Sequence, residues 1–316
     1  MSDPTAPKTV TLIGGGGFIG RYAVEALLKH HVRLRIAERN PKSAHTLMPL
    51  SKPGQIALVP ANLLDPSSIE AAVAGADAVV NLVGTFDVDR QQALHVDGAG
   101  RAAELAREAG AQAFVQISAI GADPEGAANY ARTKGKGEAA VRDAFPGATI
   151  LRPSTVFGAE DEFTNRFAGM MDLPATPVLA ADTKFQPVFV RDLGRAIAAA
   201  ALDPATHGGK TYEIAGPDVM SLMEINRAIA DLSGRDPNFV ELPDVFGGMI
   251  SKFGFLPGAP LTKDQWTMLQ SDNVQSADAP GLSDLGIAAT PLSSVAGDWL
   301  GRFKSGGRFA PTRRTA

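Results

Sequence analysis

Two side chains of the sequence carry groups that could move a proton. Tyr130 and Lys134 stand four residues apart in Tyr130-Ala131-Arg132-Thr133-Lys134. On a helix this spacing puts both on one face, where the ammonium can lower the pKa of the phenol and hold a nicotinamide ribose. Ser118, at the end of an apolar run, supplies a hydroxyl. We predict Tyr130, Lys134 and Ser118 as the catalytic residues of any hydride-transfer activity.

A glycine-rich turn follows the first apolar run. Gly14, Gly17 and Gly20 are spaced three apart and lead into a helical segment. A turn without side chains can reverse tightly, approach a pyrophosphate and pack the helix on the strand. The helix dipole and its first amides favour the diphosphate charge. The turn predicts dinucleotide binding through Gly14, Gly16, Gly17, Phe18, Ile19 and Gly20.

The end of the second apolar run bears on the choice of cofactor. Glu38 comes 18 residues after Gly20 (38 − 20), and Arg39 follows it. A carboxylate at Glu38 would accept from a ribose 2′-hydroxyl and favour NAD(H), whereas Arg39 would pair with a 2′-phosphate and favour NADP(H). The residues alone leave this choice open.

Further cofactor contacts are predicted after three later strands. Asn62 and its neighbour Leu63 follow the third strand, Gly84 the fourth and Pro153 the sixth. Asn62 can hydrogen-bond an adenine edge, Gly84 lets the cofactor approach the backbone, and Pro153 lies where a carboxamide ring would sit. Asn62 and Gly84 are equally suited to ordinary turns.

The segments that must position these residues alternate between β-branched runs and Ala-rich helical runs. The predicted strands are 9–13, 32–38, 55–59, 78–83, 113–118, 149–151 and 211–214, and the predicted helices are 18–29, 66–74, 89–109, 127–145, 190–202 and 222–232. This alternation predicts an α/β fold with a Rossmann-type doubly wound parallel sheet and a smaller C-terminal α/β lobe. We divide the chain into a dinucleotide-binding domain (1–152), a smaller lobe (153–301) and a basic tail (302–316).

Composition excludes several classes of protein. The net charge of −4 gives no positive field for nucleic acid, and no Cys is present for a disulfide or thiolate metal site. The five His lack any zinc-type spacing, so we predict no metal. No apolar run approaches the roughly 20 residues of a membrane span. The first residues show neither a signal peptide nor a transit peptide pattern.

The glycine turn and the Tyr130–Lys134 pair resemble the short-chain dehydrogenase/reductase superfamily in its extended or atypical branch. Extended members place a catalytic hydroxyl one or two residues beyond Ser118, where this sequence has Ala119 and Ile120. The departure favours cofactor binding with little turnover. A free-standing oxidoreductase, epimerase or dehydratase and a dinucleotide-binding redox sensor are the alternatives.

A closer resemblance extends over nearly the whole chain. Its residues are Gly137-Glu138, 141–146, Pro153-Ser154, Phe157-Gly158, Glu160-Asp161, 165–168, 186–190 and 280–292. They are similar to the nucleotide-binding accessory subunits of respiratory complex I. That resemblance implies subunits of complex I as partners, and NADPH as a bound ligand that is not turned over. It thus favours NADP(H) over NAD(H), with Arg39 matching the family and Glu38 departing from it.

The missing transit peptide suggests a bacterial relative in the cytoplasm, peripheral on the cytoplasmic face of the inner membrane. Phe246, Met249, Ile250 and Phe253 fall at the i, i+3, i+4 and i+7 positions of one helical face. This stripe either covers the protein's own core or, with the basic tail, contacts a membrane subunit or anionic lipid headgroups.

Overall fold

The computed structural model describes residues 7–252 and 261–304, which form two compact units. The first unit contains residues 7–153, Val190–Ile214 and Gln275–Ala288. The second contains Ser154–Phe189, residues 215–252, 261–274 and 289–304. Two segments beyond residue 153 therefore belong to the first unit. The division of the chain into 1–152, 153–301 and 302–316 remains a prediction.

A parallel sheet of seven strands forms the centre of the first unit. Its strands are β1 (Lys8–Ile13), β2 (Val32–Glu38), β3 (Ile56–Pro60), β4 (Ala78–Asn81), β5 (Ala113–Ile117), β6 (Thr149–Pro153) and β11 (Thr211–Ile214). They lie in the order β11-β6-β5-β4-β1-β2-β3. The strand order reverses between β1 and β4, which is where a doubly wound sheet opens a crevice at its carboxyl edge. This sheet confirms the predicted Rossmann-type fold.

Helices cover this sheet. They are α1 (Phe18–Leu27), α2 (Pro66–Val73), α3 (Val88–Gln91), α4 (Gly98–Glu108), α5 (Asn129–Ala144), α7 (Val190–Leu202) and α8 (Pro204–His207). A 3-10 segment, Pro41–Leu50, follows β2, a π-helical turn, Gln92–Asp97, joins α3 to α4, and a 3-10 turn lies at Ser283–Leu285. Buried alanines of α4, among them Ala99, Ala102 and Ala106, let that helix pack closely in the core.

The second unit is built from short strand pairs and helices. The strands are β7 (Val156–Phe157), β8 (Thr176–Leu179), β9 (Lys184–Phe185), β10 (Val188–Phe189), β12 (Met220–Ser221) and β13 (Phe239–Leu242), paired as β7/β10, β9/β12 and β8/β13. The helices are α6 (Glu162–Met170), α9 (Leu222–Ser233), α10 (Asp244–Lys252), α11 (Lys263–Leu269), α12 (Leu292–Val295) and α13 (Gly297–Leu300), with a 3-10 turn at Gly301–Phe303. Phe157, Phe185 and Ile229 belong to the core of this unit.

The predicted apolar stripe is partly visible on α10. Phe246 and Met249 are exposed and Ile250 is half-buried. Phe253 and most of the basic tail lie outside the described residues. Among the helices within 7–252 and 261–304, none is long and apolar enough to cross a membrane.

Candidate functional site

The glycine turn joins β1 to α1 at the switch point. Gly14 has a φ of +80°, a conformation that L side chains rarely adopt. A Cβ on Gly20 would lie 2.3 Å from the carbonyl oxygen of Gly15, so the turn and the helix can approach each other only through a glycine. A Cβ on Gly17 would meet only the carbonyl oxygen of Gly14, at 3.4 Å. The outer side of the turn at Gly17 is thus open.

Helix α1 begins directly after Gly17, which provides no side-chain cap for its first amides. Phe18 and Ile19 in the first turn are half-buried, and the Phe18 ring lies edge-on to Tyr22 at 6.0 Å. An uncapped helix start beside an open glycine is the local structure that binds a phosphate group.

The end of β2 lies against this turn. The main-chain N–H of Gly16 donates to Oε1 of Glu38 at 2.6 Å. Arg39, the next residue, is exposed. The carboxylate of Glu38 is therefore fixed at the turn, whereas the guanidinium of Arg39 lies at the surface.

Asn62, predicted as an adenine contact, and Leu63, predicted as a cofactor contact, follow β3. Oδ1 of Asn62 accepts from the N–H of Leu64 at 3.2 Å, which forms a local turn. Leu63 is buried in the core, where its side chain lies 2.8 Å from the position of a Cβ on Gly98.

Gly84, Tyr130 and Lys134 come together beyond the carboxyl end of β4. A Cβ on Gly84 would lie 3.4 Å from Nζ of Lys134. Nζ lies 5.7 Å from the centre of the Tyr130 ring and donates to the carbonyl oxygen of Ile117 at 3.2 Å. Both side chains project from α5 as the spacing of four residues requires.

Burial determines the ionisation of this pair. It raises the pKa of Tyr130 to about 12. It also lowers the pKa of Lys134 to about 8, against an opposing effect of the Glu138 carboxylate. The ammonium does not bring the phenol towards neutral pH, as an efficient general acid or base would require.

His95, which sequence reasoning did not assign to the site, lies beside the Tyr130 ring. It sits in the π-helical turn, and its ring is edge-on to that of Tyr130 at 5.5 Å. Nε2 accepts from the N–H of Thr85 at 3.0 Å, so Nδ1 carries the proton and donates to Oγ1 of Thr133, also at 3.0 Å. Burial, with a further effect of Lys134, lowers the pKa of His95 to about 3. The ring is therefore a neutral link between the Thr85 loop and α5.

Ser118 faces a buried ionic network. Its hydroxyl donates to Oε1 of Glu138 at 2.5 Å, and the two residues are 3% and 1% exposed. Nε and a terminal nitrogen of Arg152 donate to the two Glu138 oxygens, each at 2.8 Å. Arg142 adds a third contact at 3.2 Å. The network joins the end of β5 to α5 and β6.

Pro153 ends β6 as a buried residue, and its carbonyl oxygen accepts from the N–H of Ile120 at 3.0 Å. Gln91 in α3 is also buried, with Oε1 accepting from Asn129 at 2.5 Å and Nε2 without a hydrogen-bond partner among the described residues.

The structure places the predicted site residues in two groups. The glycines lie with Glu38 in one group, and Gly84 lies with Tyr130 and Lys134 in the other. The structure directs Leu63 and the Ser118 hydroxyl into the interior.

Comparisons with known proteins identify the family of the chain. The sequence pattern of the NAD(P)H-binding family matches residues 14–172. The chain is 31% identical to NADH dehydrogenase (ubiquinone) 1 alpha subcomplex subunit 9, mitochondrial, of Arabidopsis thaliana, over 94% of this chain and 78% of that protein. It is 28% identical to the ceramide reductase of Caulobacter vibrioides, over 81% of each.

A solved structure supports the fold. Triphenylmethane reductase of Citrobacter sp., complexed with NADP(H), superposes with a TM-score of 0.74 at 19% identity, over 92% of this chain and 99% of that one. The chain belongs to the NAD(P)H-binding family and, within it, to the family of subunit 9 of the NADH dehydrogenase (ubiquinone) 1 alpha subcomplex.

Proposed function

We propose that this protein is an NAD(P)(H)-binding accessory subunit of a bacterial respiratory complex I, with little or no turnover of its own. The observation that carries the proposal is the contrast between a glycine turn that is open to a ligand and a Ser118 hydroxyl that is already hydrogen-bonded within the protein. The turn is open on its outer side at Gly17, whereas Ser118 donates to the buried Glu138. Relatives that are subunits of NADH dehydrogenase support the assignment.

The residues fit a dinucleotide in the following roles. Gly14, Gly17 and Gly20 with the start of α1 hold the diphosphate, and Glu38 or Arg39 meets the adenosine ribose. Tyr130 and Lys134 hold the nicotinamide ribose beside Gly84. The cofactor would supply a nicotinamide ring able to carry hydride.

Low turnover follows from the groups around Tyr130. A phenol with a pKa of about 12 is a weak acid for protonating a carbonyl at neutral pH. Ala119 and Ile120, at the end of β5, offer no hydroxyl to orient a substrate oxygen. A missing proton-transfer partner typically lowers a rate by about 10²–10⁴-fold.

For the cofactor we propose NADP(H), with Arg39 pairing the 2′-phosphate. Glu38 opposes this choice, because its carboxylate at the turn would repel a second negative charge. Titration with NADPH and NADH tests it, and tighter binding of NADH by the wild type would refute it. Glu38→Gln should improve NADPH affinity, and Arg39→Ala should weaken it by about tenfold, as expected for a charged hydrogen bond.

Purification from native membranes tests the main proposal. A tagged chain should co-migrate with a complex that contains flavin and iron–sulfur clusters, on the cytoplasmic face of the membrane. Mass spectrometry of the released ligand should find one dinucleotide per chain. A monodisperse protein that never associates with that complex would contradict the proposal.

A second candidate is a free-standing reductase, which the similarity to a ceramide reductase supports. The retained Tyr130–Lys134 pair is the acid–base group such an enzyme would need. The Tyr130→Phe variant separates the two functions. It should leave assembly of the complex intact if the chain is a subunit, and it should abolish ketone reduction if the chain is an enzyme.

Contact with lipid is a separate part of the proposal. The exposed Phe246 and Met249 of α10, with the basic tail, would face a membrane subunit or anionic headgroups. Salt-sensitive binding to anionic vesicles tests this, with a Phe246→Ser/Met249→Ser variant as the comparison. Equal binding by both proteins would show that this face is not used.

A further inference from the structure

An exposed aromatic side chain lies on the Tyr130 ring. The rings of Phe86 and Tyr130 are stacked, with centres 4.8 Å apart and planes 21° from parallel. Phe86 is nevertheless 58% exposed, so one face of its ring covers Tyr130 and much of the remainder meets solvent. A ring in this position is a cover rather than part of the core.

The loop that carries Phe86 is fixed on both sides of the residue. The N–H of Thr85 donates to Nε2 of the buried His95 at 3.0 Å. The N–H of Asp87 donates to Oγ1 of Thr85 at 3.0 Å, and Oδ1 of Asp87 accepts from the N–H of Asp89 at the start of α3. These bonds fix the backbone on both sides of Phe86, and none of them involves its side chain.

Three groups lie against the ring of Tyr130, which is half-buried. Phe86 covers one face, the ring of His95 meets it edge-on at 5.5 Å, and Nζ of Lys134 lies 5.7 Å from its centre. Phe86 is the exposed member of these three, since His95 and Lys134 are buried. Movement of Phe86 would therefore expose more of the Tyr130 ring to solvent.

We propose that Phe86 is a positioning residue that closes the space around Tyr130, holding the phenol ring in place and keeping water and carbonyl compounds from it. This inference rests on the proposed function, because it gives a structural reason for the low turnover of the same site. The raised pKa of Tyr130 agrees with a phenol that is partly removed from water.

Nitration by tetranitromethane, which attacks the phenolate form of tyrosine, measures this shielding. The chain has three tyrosines and no cysteine, so thiols do not compete for the reagent. Trypsin separates Tyr130 from Tyr22 and Tyr212, and mass spectrometry then gives the nitration rate of each. Tyr22 and Tyr212 are both buried, and their unchanged rates report an intact fold in every variant.

Phe86→Ala should nitrate at Tyr130 about tenfold faster than wild type at the same pH, as a pKa lower by one unit would give. Phe86→Trp, which retains a stacking ring, should keep the wild-type rate. Val88→Ala, at an exposed apolar residue two positions away, is the matched control and should also keep it. An unchanged Tyr130 rate in Phe86→Ala, with Tyr22 and Tyr212 slow, would overturn the inference.

Adding NADPH separates this inference from the proposed function. A bound dinucleotide should slow the nitration of Tyr130 in the wild type and in Phe86→Ala. If the cofactor gives no protection although Phe86→Ala still reacts faster, the proposed binding role fails and the cover remains. If protection occurs but Phe86→Ala reacts like wild type, the cover fails and the binding role remains.

Discussion

The candidate dinucleotide site has two ends, the glycine turn and the region of Tyr130 and Lys134. Their polar groups differ in how far they are already hydrogen-bonded within the protein. At the glycine turn, the N–H of Gly16 is bonded to Glu38, but Gly17 is open on its outer side and the first amides of α1 have no side-chain cap. Around Tyr130, by contrast, the Ser118 hydroxyl, the Lys134 ammonium and both nitrogens of His95 have partners in the protein. Groups that bind a ligand must be left free, whereas groups that are already paired stabilise the fold. The comparison therefore supports a site that binds dinucleotide better than it catalyses.

The largest expected effect lies in the paired network. Glu138→Ala removes the carboxylate that two arginines and Ser118 share, and leaves the Arg152 guanidinium with Glu213, at 3.7 Å, among the described residues. We expect a loss of about 3 kcal/mol in the free energy of unfolding, the lower end for a broken buried pair. Urea denaturation measures it. Arg142→Ala is the control and should cost under about 1 kcal/mol, because that side chain is partly exposed and Glu138 keeps its bonds to Arg152.

The next prediction compares two glycines of the open end. Gly20→Ala places a Cβ 2.3 Å from a backbone oxygen, and overpacking of this kind costs about 1–3 kcal/mol in stability. Gly17→Ala meets only an ordinary contact at 3.4 Å, so its folding should be unchanged while its methyl group blocks the diphosphate. Thermal unfolding and dinucleotide titration together separate the two effects. A Gly17→Ala protein that binds dinucleotide as well as wild type would show that the turn is not the binding site.

The sequence predicts those parts of the two ends whose residues lie close together along the chain. The glycine turn is local, so spacing and strand pattern predicted both its structure and its position at the end of β1. The Tyr130–Lys134 pair is equally local to one helix. The partners of Glu138 are not, because Arg152 lies 14 residues away and Ser118 lies 20 residues away. Only the parallel order of β5 and β6 brings them together.

Other features left a weaker signal or none. Glu138 lies four residues after Lys134, so helical spacing could have placed it on the same face. His95 lies in a π-helical turn, whose residues face other directions than an α-helical pattern predicts. The return of β11 beside β6 is a topological choice that a list of strands in sequence order cannot contain.

The third prediction uses the pH dependence of stability. The folded-state pKa of Lys134, about 8, is below its ordinary value of 10.5. Between these values the unfolded chain binds more protons than the folded one, so this residue makes stability rise with pH by at most about 1.4 kcal/mol per unit. Below pH 8 the cost of burying the ammonium is fully present. Tyr130 acts oppositely above pH 10, because its folded-state pKa is raised.

Lys134→Met should remove the rise between pH 8 and 10 while leaving the remainder of the profile in place. Chemical denaturation at several pH values measures the slope, and Lys136→Met, on the same helix but exposed, is the matched control. An identical slope in wild type and Lys134→Met would mean that the ammonium is not desolvated. The region of Tyr130 and Lys134 would then be more open to water, and closer to the glycine turn in this respect, than proposed.

The smallest expected effect is at Ser118, and it bears most directly on the comparison. Ser118→Ala removes one hydrogen bond to a carboxylate that keeps its arginine partners, so we expect a loss of about 1.5 kcal/mol in stability, the lower end for a bond to a charged group. Dinucleotide affinity should not change. If the hydroxyl is structural, any slow oxidation of NAD(P)H by a ketone should also be unchanged, whereas Tyr130→Phe should abolish it. A Ser118→Ala protein that keeps its stability but loses turnover would instead place the hydroxyl in catalysis. A loss of rate without a loss of stability could not be explained by the structural bond to Glu138.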